Sequence, residues 1–88
     1  MTQKEIIITN SLGLHARPAV MLVKTASQFE SDIKLRKDDM EVNAKSIMGV
    51  LILAAEKGSR LILIIDGPDE INAIEIIVKL FEDGFGEE

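Results

Sequence analysis

Residues 61 to 65, Leu-Ile-Leu-Ile-Ile, contain no polar side chain. A strand that is apolar on both faces has no side to offer water, so it belongs in the middle of a sheet. That segment commits the chain to a sheet with other strands flanking it. Candidates for those neighbours follow from pattern. Residues 4–9, KEIIIT, are short and rich in β-branched side chains. From Asp32 to Lys37 the chain alternates, with Ile33 and Leu35 on one face and Lys34 and Arg36 on the other. Met40, Val42 and Ala44 continue the alternation on a return strand beyond Asp38-Asp39, a hairpin turn that lacks the preferred glycine.

Three segments carry helical spacing instead. Beyond the turn residues Asn10 to Gly13, Ala19, Leu22, Val23 and Ala26 recur at the interval of one buried helix stripe. Pro18 fits only the first turn of that helix, because it has no N–H to donate. The spacing predicts an end near Gln28, with Phe29 closing the core. Ser46 has the chemistry of an N-cap for the second helix, and Gly58 suits its C-terminal end. Gly67-Pro68-Asp69 turns the chain, and Pro68 or Asp69 begins a third helix with Ile74, Ile77, Val78 and Phe81 as its stripe. Phe85 extends that stripe, while the tail EDGFGEE is expected to fray. The order β-α-β-β-α-β-α implies an α+β fold, with helices on one side of a mostly antiparallel sheet.

Length and composition narrow the function. Residues 1–88 make one domain. Without cysteine and with a single histidine, disulfides, thiolate metal sites and multi-histidine metal sites are excluded, and no cofactor is implied. Ten basic against fifteen acidic residues give a net charge of −5, which argues against a nucleic-acid partner. The longest apolar run, Ile47 to Ala55, is about half of a membrane span. No long apolar stretch opens the chain, so a soluble, cytoplasmic protein without membrane insertion is expected.

The one histidine, His15, stands where the first helix begins, in the stretch GLHARPAV. Free N–H groups of the first turn would point back at its ring, and the helix dipole adds roughly half a positive charge there. Arg17 can add a full charge and a forked donor. Such surroundings hold an anion and favour the neutral, nucleophilic imidazole. A phosphoryl group on the ring would bring roughly two negative charges to them. The competing account makes His15 an exposed turn residue and Arg17 a solvated charge, and spacing alone does not separate the two.

GLHARPAV resembles the active-site segment of the HPr family, the histidine-containing phosphocarriers of the bacterial phosphotransferase system. KSIMGV, residues 45–50, resembles that family's second signature at the expected distance. The resemblance spans essentially the whole chain. It implies an open-faced β-sandwich, a four-stranded antiparallel sheet covered on one face by three helices. It also implies that His15 accepts a phosphoryl group on Nδ1 from phosphorylated enzyme I and passes it to a sugar-specific enzyme IIA. Ala16 and Arg17 would bind the phosphate, and Arg17 would assist transfer.

Ser46 to Ala55 holds more apolar residues than one helix face needs. Val50, Leu53 and Ala54 can enter the core, while Ile47, Met48 and Leu51 lie together on another side. Exposed apolar clusters mark interaction sites, and methionine adapts to several partners. The resemblance places donor and acceptor docking on Ile47, Met48 and Leu51, with Val20 and Gly49 at the margin. It further makes Ser46 a regulatory phosphorylation site for a dedicated HPr kinase/phosphorylase, with a transcriptional regulator as a further partner. A dianion there would be tolerated by the helix start yet weaken binding of acidic partners.

Two other readings stay open. GPDEINAIEIIVKLFEDGFGEE is similar both to the nitrogen-related regulatory branch and to HPr proteins of proteobacteria, although KSIMG favours the sugar or carbon-regulatory role. A binding module acting mainly through phosphorylated Ser46 is the other, and the presence of His15 with Arg17 argues against it as the sole function. An independent enzyme is poorly supported, because the sequence contains no paired acid and base and no Walker-type loop. A small acidic carrier with transient partners is expected to be a monomer.

Overall fold

A computed structural model describes residues 1–87. The apolar segment lies within strand β4 (Arg60–Asp66), which pairs with β1 (Thr2–Ile7) on one side and β2 (Asp32–Lys37) on the other. Strand β3 (Met40–Asn43) completes the order β1-β4-β2-β3, and every pairing is antiparallel. Leu61, Leu63 and Ile65 are fully buried beneath the helices, whereas Ile62 and Ile64 are half-buried on the sheet's other face. That second face is open, and its apolar centre is shaded by neighbours such as Lys34 and Arg36, which pair with Ile64 and Ile62.

Helices α1 (Ala16–Ala26), α2 (Ile47–Leu53) and α3 (Glu70–Glu82) follow in the expected order. In α1 the buried positions are Pro18, Ala19, Leu22 and Ala26, while Val23 is only partly buried against the core. Phe29 does close the core behind this helix. The chain ends α1 at Ala26, two residues short of the expected Gln28. Strand β1 also begins earlier than KEIIIT, at Thr2. Beyond Ile7 the backbone keeps only an exchange with the loop before β4, where Ile8 bonds to Ser59 and Gly58.

Helix α2 departs further from expectation. It stops at Leu53, where Ala54 adopts the left-handed conformation (φ 51°, ψ 43°), so Gly58 is not its terminal residue. Ala54 is exposed, and Ala55 takes the core place expected of it. Left-handed Ala54 turns the chain out of the helix, and the Ala55 carbonyl beyond it accepts the Leu14 N–H at 2.8 Å.

Helix α3 buries Ala73, Ile77 and Phe81, with Ile74 and Val78 packed at the margin. Its first residue is Glu70, not Pro68 or Asp69. Asp69 does not cap it with its side chain; the carboxylate instead accepts the backbone N–H groups of Glu30 and Ser31 and the Ser31 hydroxyl. Those donors, led by the Ser31 hydroxyl, hold the Asp69 carboxyl below its ordinary value.

The tail does not fray as expected. Residues Gly84–Gly86 form a 3-10 turn that drives Phe85 fully into the core, edge-on to Phe81 with ring centroids 4.9 Å apart. Phe85 sits at φ 57°, a conformation unfavourable for a bulky side chain, and burial of the ring offsets it. The last residue of that segment, Glu88, lies outside the described residues.

Candidate functional site

The site begins at a glycine. Gly13 has φ +64°, and a Cβ there would stand 2.3 Å from the Ala55 carbonyl oxygen. Only glycine lets the loop press against the end of α2 so closely. Leu14 is then buried, and His15 is presented as the residue before α1. His15 is extended (φ −78°, ψ −171°), and its carbonyl accepts the Ala19 N–H at 3.0 Å, the first bond of the helix. The amides of Ala16 and Arg17 have no helical acceptor, and Pro18 has no amide proton. The His15 side chain makes no capping bond to them, and the first turn carries no acidic residue. Its ring is 34% exposed, so it is reachable from solvent without being loose.

A carboxylate from the far end of the chain completes the arrangement. Glu87 places its oxygens 3.0 and 3.1 Å from His15 Nε2. The Asn10 amide donates to the same carboxylate at 2.9 Å, and Arg17 Nη1 reaches it at 3.4 Å. Arg17 remains 64% exposed, whereas the Glu87 side chain is only 14% exposed. The bond from His15, then that from Asn10, hold the Glu87 carboxyl below its ordinary value; the charges of His15 and Arg17 act in the same direction. The surroundings of His15 are therefore not purely positive, as the helix start and Arg17 alone suggest. Chemically, the ring offers a half-exposed nucleophile, with helix amides and an exposed guanidinium nearby to receive an anion. Ala16 is exposed at the first helical position.

The second motif folds as expected at its start. The Ser46 hydroxyl accepts the Gly49 N–H at 3.1 Å and caps α2. Gly49 and Val20 are half-buried, and helix α1 packs against α2. Ile47, Met48 and Leu51 are exposed, Met48 at 67%. Ile52 is exposed beside them and extends the apolar surface beyond the residues foreseen.

Asn10 and Glu87 escape a reading of the sequence. Asn10 looks like turn material, yet it is only 1% exposed. Glu87 lies in the tail expected to fray. The signal that points to it is Phe85, an aromatic between two glycines that needs burial and so draws the tail inward. Among the described residues no group of three or more His, Asp or Glu could hold a metal ion, and no helix is long and apolar enough to cross a membrane.

Comparison with known proteins agrees with this architecture. The family model for the PTS HPr component phosphorylation site matches residues 2–83. Phosphocarrier protein HPr of Treponema pallidum is 49% identical over 88 residues, covering 100% of both chains. Phosphocarrier protein HPr of Xylella fastidiosa is also 49% identical, over 100% of this chain and 99% of its own. The crystal structure of HPr from Thermoanaerobacter tengcongensis superposes with a TM-score of 0.96 at 49% identity, covering 100% of this chain and 99% of that one. With strand order, helix layer and full-length similarity in agreement, the chain belongs to the HPr phosphocarrier family.

Proposed function

We propose that this chain carries a phosphoryl group on His15, accepts it from phosphorylated enzyme I and delivers it to an enzyme IIA for sugar uptake. The observation that carries the reading is the half-exposed His15 ring at the start of α1, with Arg17 beside it and helix amides following that the His15 side chain does not cap. The chain acts as a covalent intermediate between other catalysts and is not an enzyme in its own right. Arg17 and the Ala16 amide receive the phosphate, and Arg17 moves from Glu87 to the incoming dianion. Its cytoplasmic location and monomeric state belong to the same reading.

Docking of both partners is assigned to the apolar surface of α2, formed by Ile47, Met48 and Leu51, with Val20 and Gly49 at its margin. Regulation is assigned to Ser46, through an HPr kinase/phosphorylase and a transcriptional regulator. The Ser46 side chain already sits at the helix start beside this surface, so a phosphate would place a dianion within it. The sugar-type role is preferred to the nitrogen-related one on the KSIMG stretch.

The test is incubation with enzyme I and phosphoenolpyruvate, followed by intact mass measurement. One phosphoryl group should appear, stable in base and lost in acid. A modification that withstands acid, or that persists in His15→Ala, defeats the assignment.

A further inference from the structure

Asn10 is buried, and its amide N–H groups donate to the Gly13 carbonyl at 2.8 Å and to Glu87 at 2.9 Å. Turning the amide over would set its oxygen against those two acceptors, so its orientation is determined. The consequence is costly: Asn10 Oδ1 is buried without a partner among the described residues. A buried orphan oxygen is tolerated here because the same amide fixes the Glu87 carboxylate, which faces His15 Nε2 from 3.0 Å. The carboxylate can only accept, so Nε2 must carry the proton. In the neutral ring the lone pair then resides on Nδ1.

We infer that Glu87, held by Asn10, is a positioning residue that presents His15 Nδ1 as the nucleophile and faces the positive charge the ring gains during transfer. The inference rests on the carrier reading above. In the step, the Nδ1 lone pair attacks phosphorus on a phosphorylated donor protein. The new N–P bond forms as the donor's bond to phosphorus breaks, and that electron pair leaves with the donor. The Nε2 proton stays in place, so the ring becomes cationic at the side that Glu87 faces. A carboxylate oriented on the far nitrogen of a reacting imidazole stabilises such a charge. Its small exposure keeps water from screening the contact. Among the described residues Arg17 is the other charged group at the carboxylate, and its guanidinium can turn to the phosphate without releasing the Asn10 bond.

Two readouts on the full chain test this. The first is the tautomer of neutral His15, read from two-bond 15N–1H couplings with no donor present. The parent should be essentially all Nε2–H, Glu87→Ala should show a mixture, and Glu87→Gln, whose carbonyl can still accept, should resemble the parent. The second is the rate of phosphorylation by enzyme I, expected to fall about tenfold in Glu87→Ala and less in Glu87→Gln. Phe85 ring resonances report whether the tail stays docked. An Nδ1–H tautomer in the parent overturns the inference. So does a Glu87→Ala variant that keeps its tail docked and transfers at the parental rate or faster. If the parent is never phosphorylated, the carrier reading fails, while the tautomer measurement still judges the Glu87–His15 contact by itself.

Discussion

Helices α1 and α2 begin in opposite ways. At α2 the residue before the helix is a serine whose hydroxyl turns back to accept the Gly49 N–H, so the helix start is closed by its own side chain. At α1 that position is His15, whose ring makes no bond to the first amides. The electrostatic complement there comes from Glu87, 72 residues further along the chain. A start that caps itself gains stability, whereas one left open gains a place for an anion. Both caps are extended residues, His15 at φ −78°, ψ −171° and Ser46 at φ −114°, ψ 117°, and the two side chains meet the helix start in opposite ways.

Perturbing the two starts should therefore give different kinds of damage. The largest effect expected is for His15→Ala, which abolishes phosphoryl uptake from enzyme I at a small cost in urea stability, because the ring makes no capping bond and gives up only its half-exposed contact with Glu87. A large loss of stability in that variant would mean that the two starts are less different than argued. Next comes Gly13→Ala, which forces a Cβ against the Ala55 carbonyl at positive φ. It should lower unfolding free energy by about 2–3 kcal/mol in denaturant titration.

Smaller effects sharpen the contrast. Arg17→Ala should keep the fold and slow phosphoryl uptake about tenfold, the equivalent of ~1.4 kcal/mol. Transfer at the parental rate would remove Arg17 from the phosphate site. Ser46→Ala should do the reverse, reducing stability by ~1 kcal/mol through loss of the cap. Ser46→Asp should fold and yet accept phosphoryl groups more slowly, and unchanged uptake kinetics would count against a regulatory role.

The smallest effect concerns acid. The Glu87 carboxyl has its folded pKa lowered by His15, Asn10 and Arg17. Its contribution is therefore complete above the unfolded value of about 4.3 and is lost as pH falls through the lower folded value. As pH falls through that lower value, Phe85 ring resonances should move toward those of an undocked tail, while the Gly49 amide at the serine cap stays put. Parallel movement of both signals would show global unfolding rather than a property of one helix start.

Much of this is legible in the chain because it is written at short range. The α1 stripe of Ala19, Leu22 and Ala26, the alternation of Ile33 and Leu35, and the Ser46 cap depend on residues a few positions apart. His15 and Arg17 are visible for the same reason. Asn10 and Glu87 are not, since neither has meaning until the chain ends meet. Likewise, Gly58 offers a good local signal for the end of α2, whereas the helix stops at a left-handed Ala54, next to a residue that bonds the distant Leu14.

By itself, the sequence determined the order of elements, the central place of Leu61 to Ile65, and the junction at which the lone histidine stands. Periodicity, turn chemistry and capping are local, so they survive in one dimension. Tertiary structure alone decided which strands flank β4, where α2 stops, and that a tail carboxylate would face His15. Those outcomes come from burying Phe85 and pairing buried polar groups across the fold, a competition among distant contacts that no short window of residues contains.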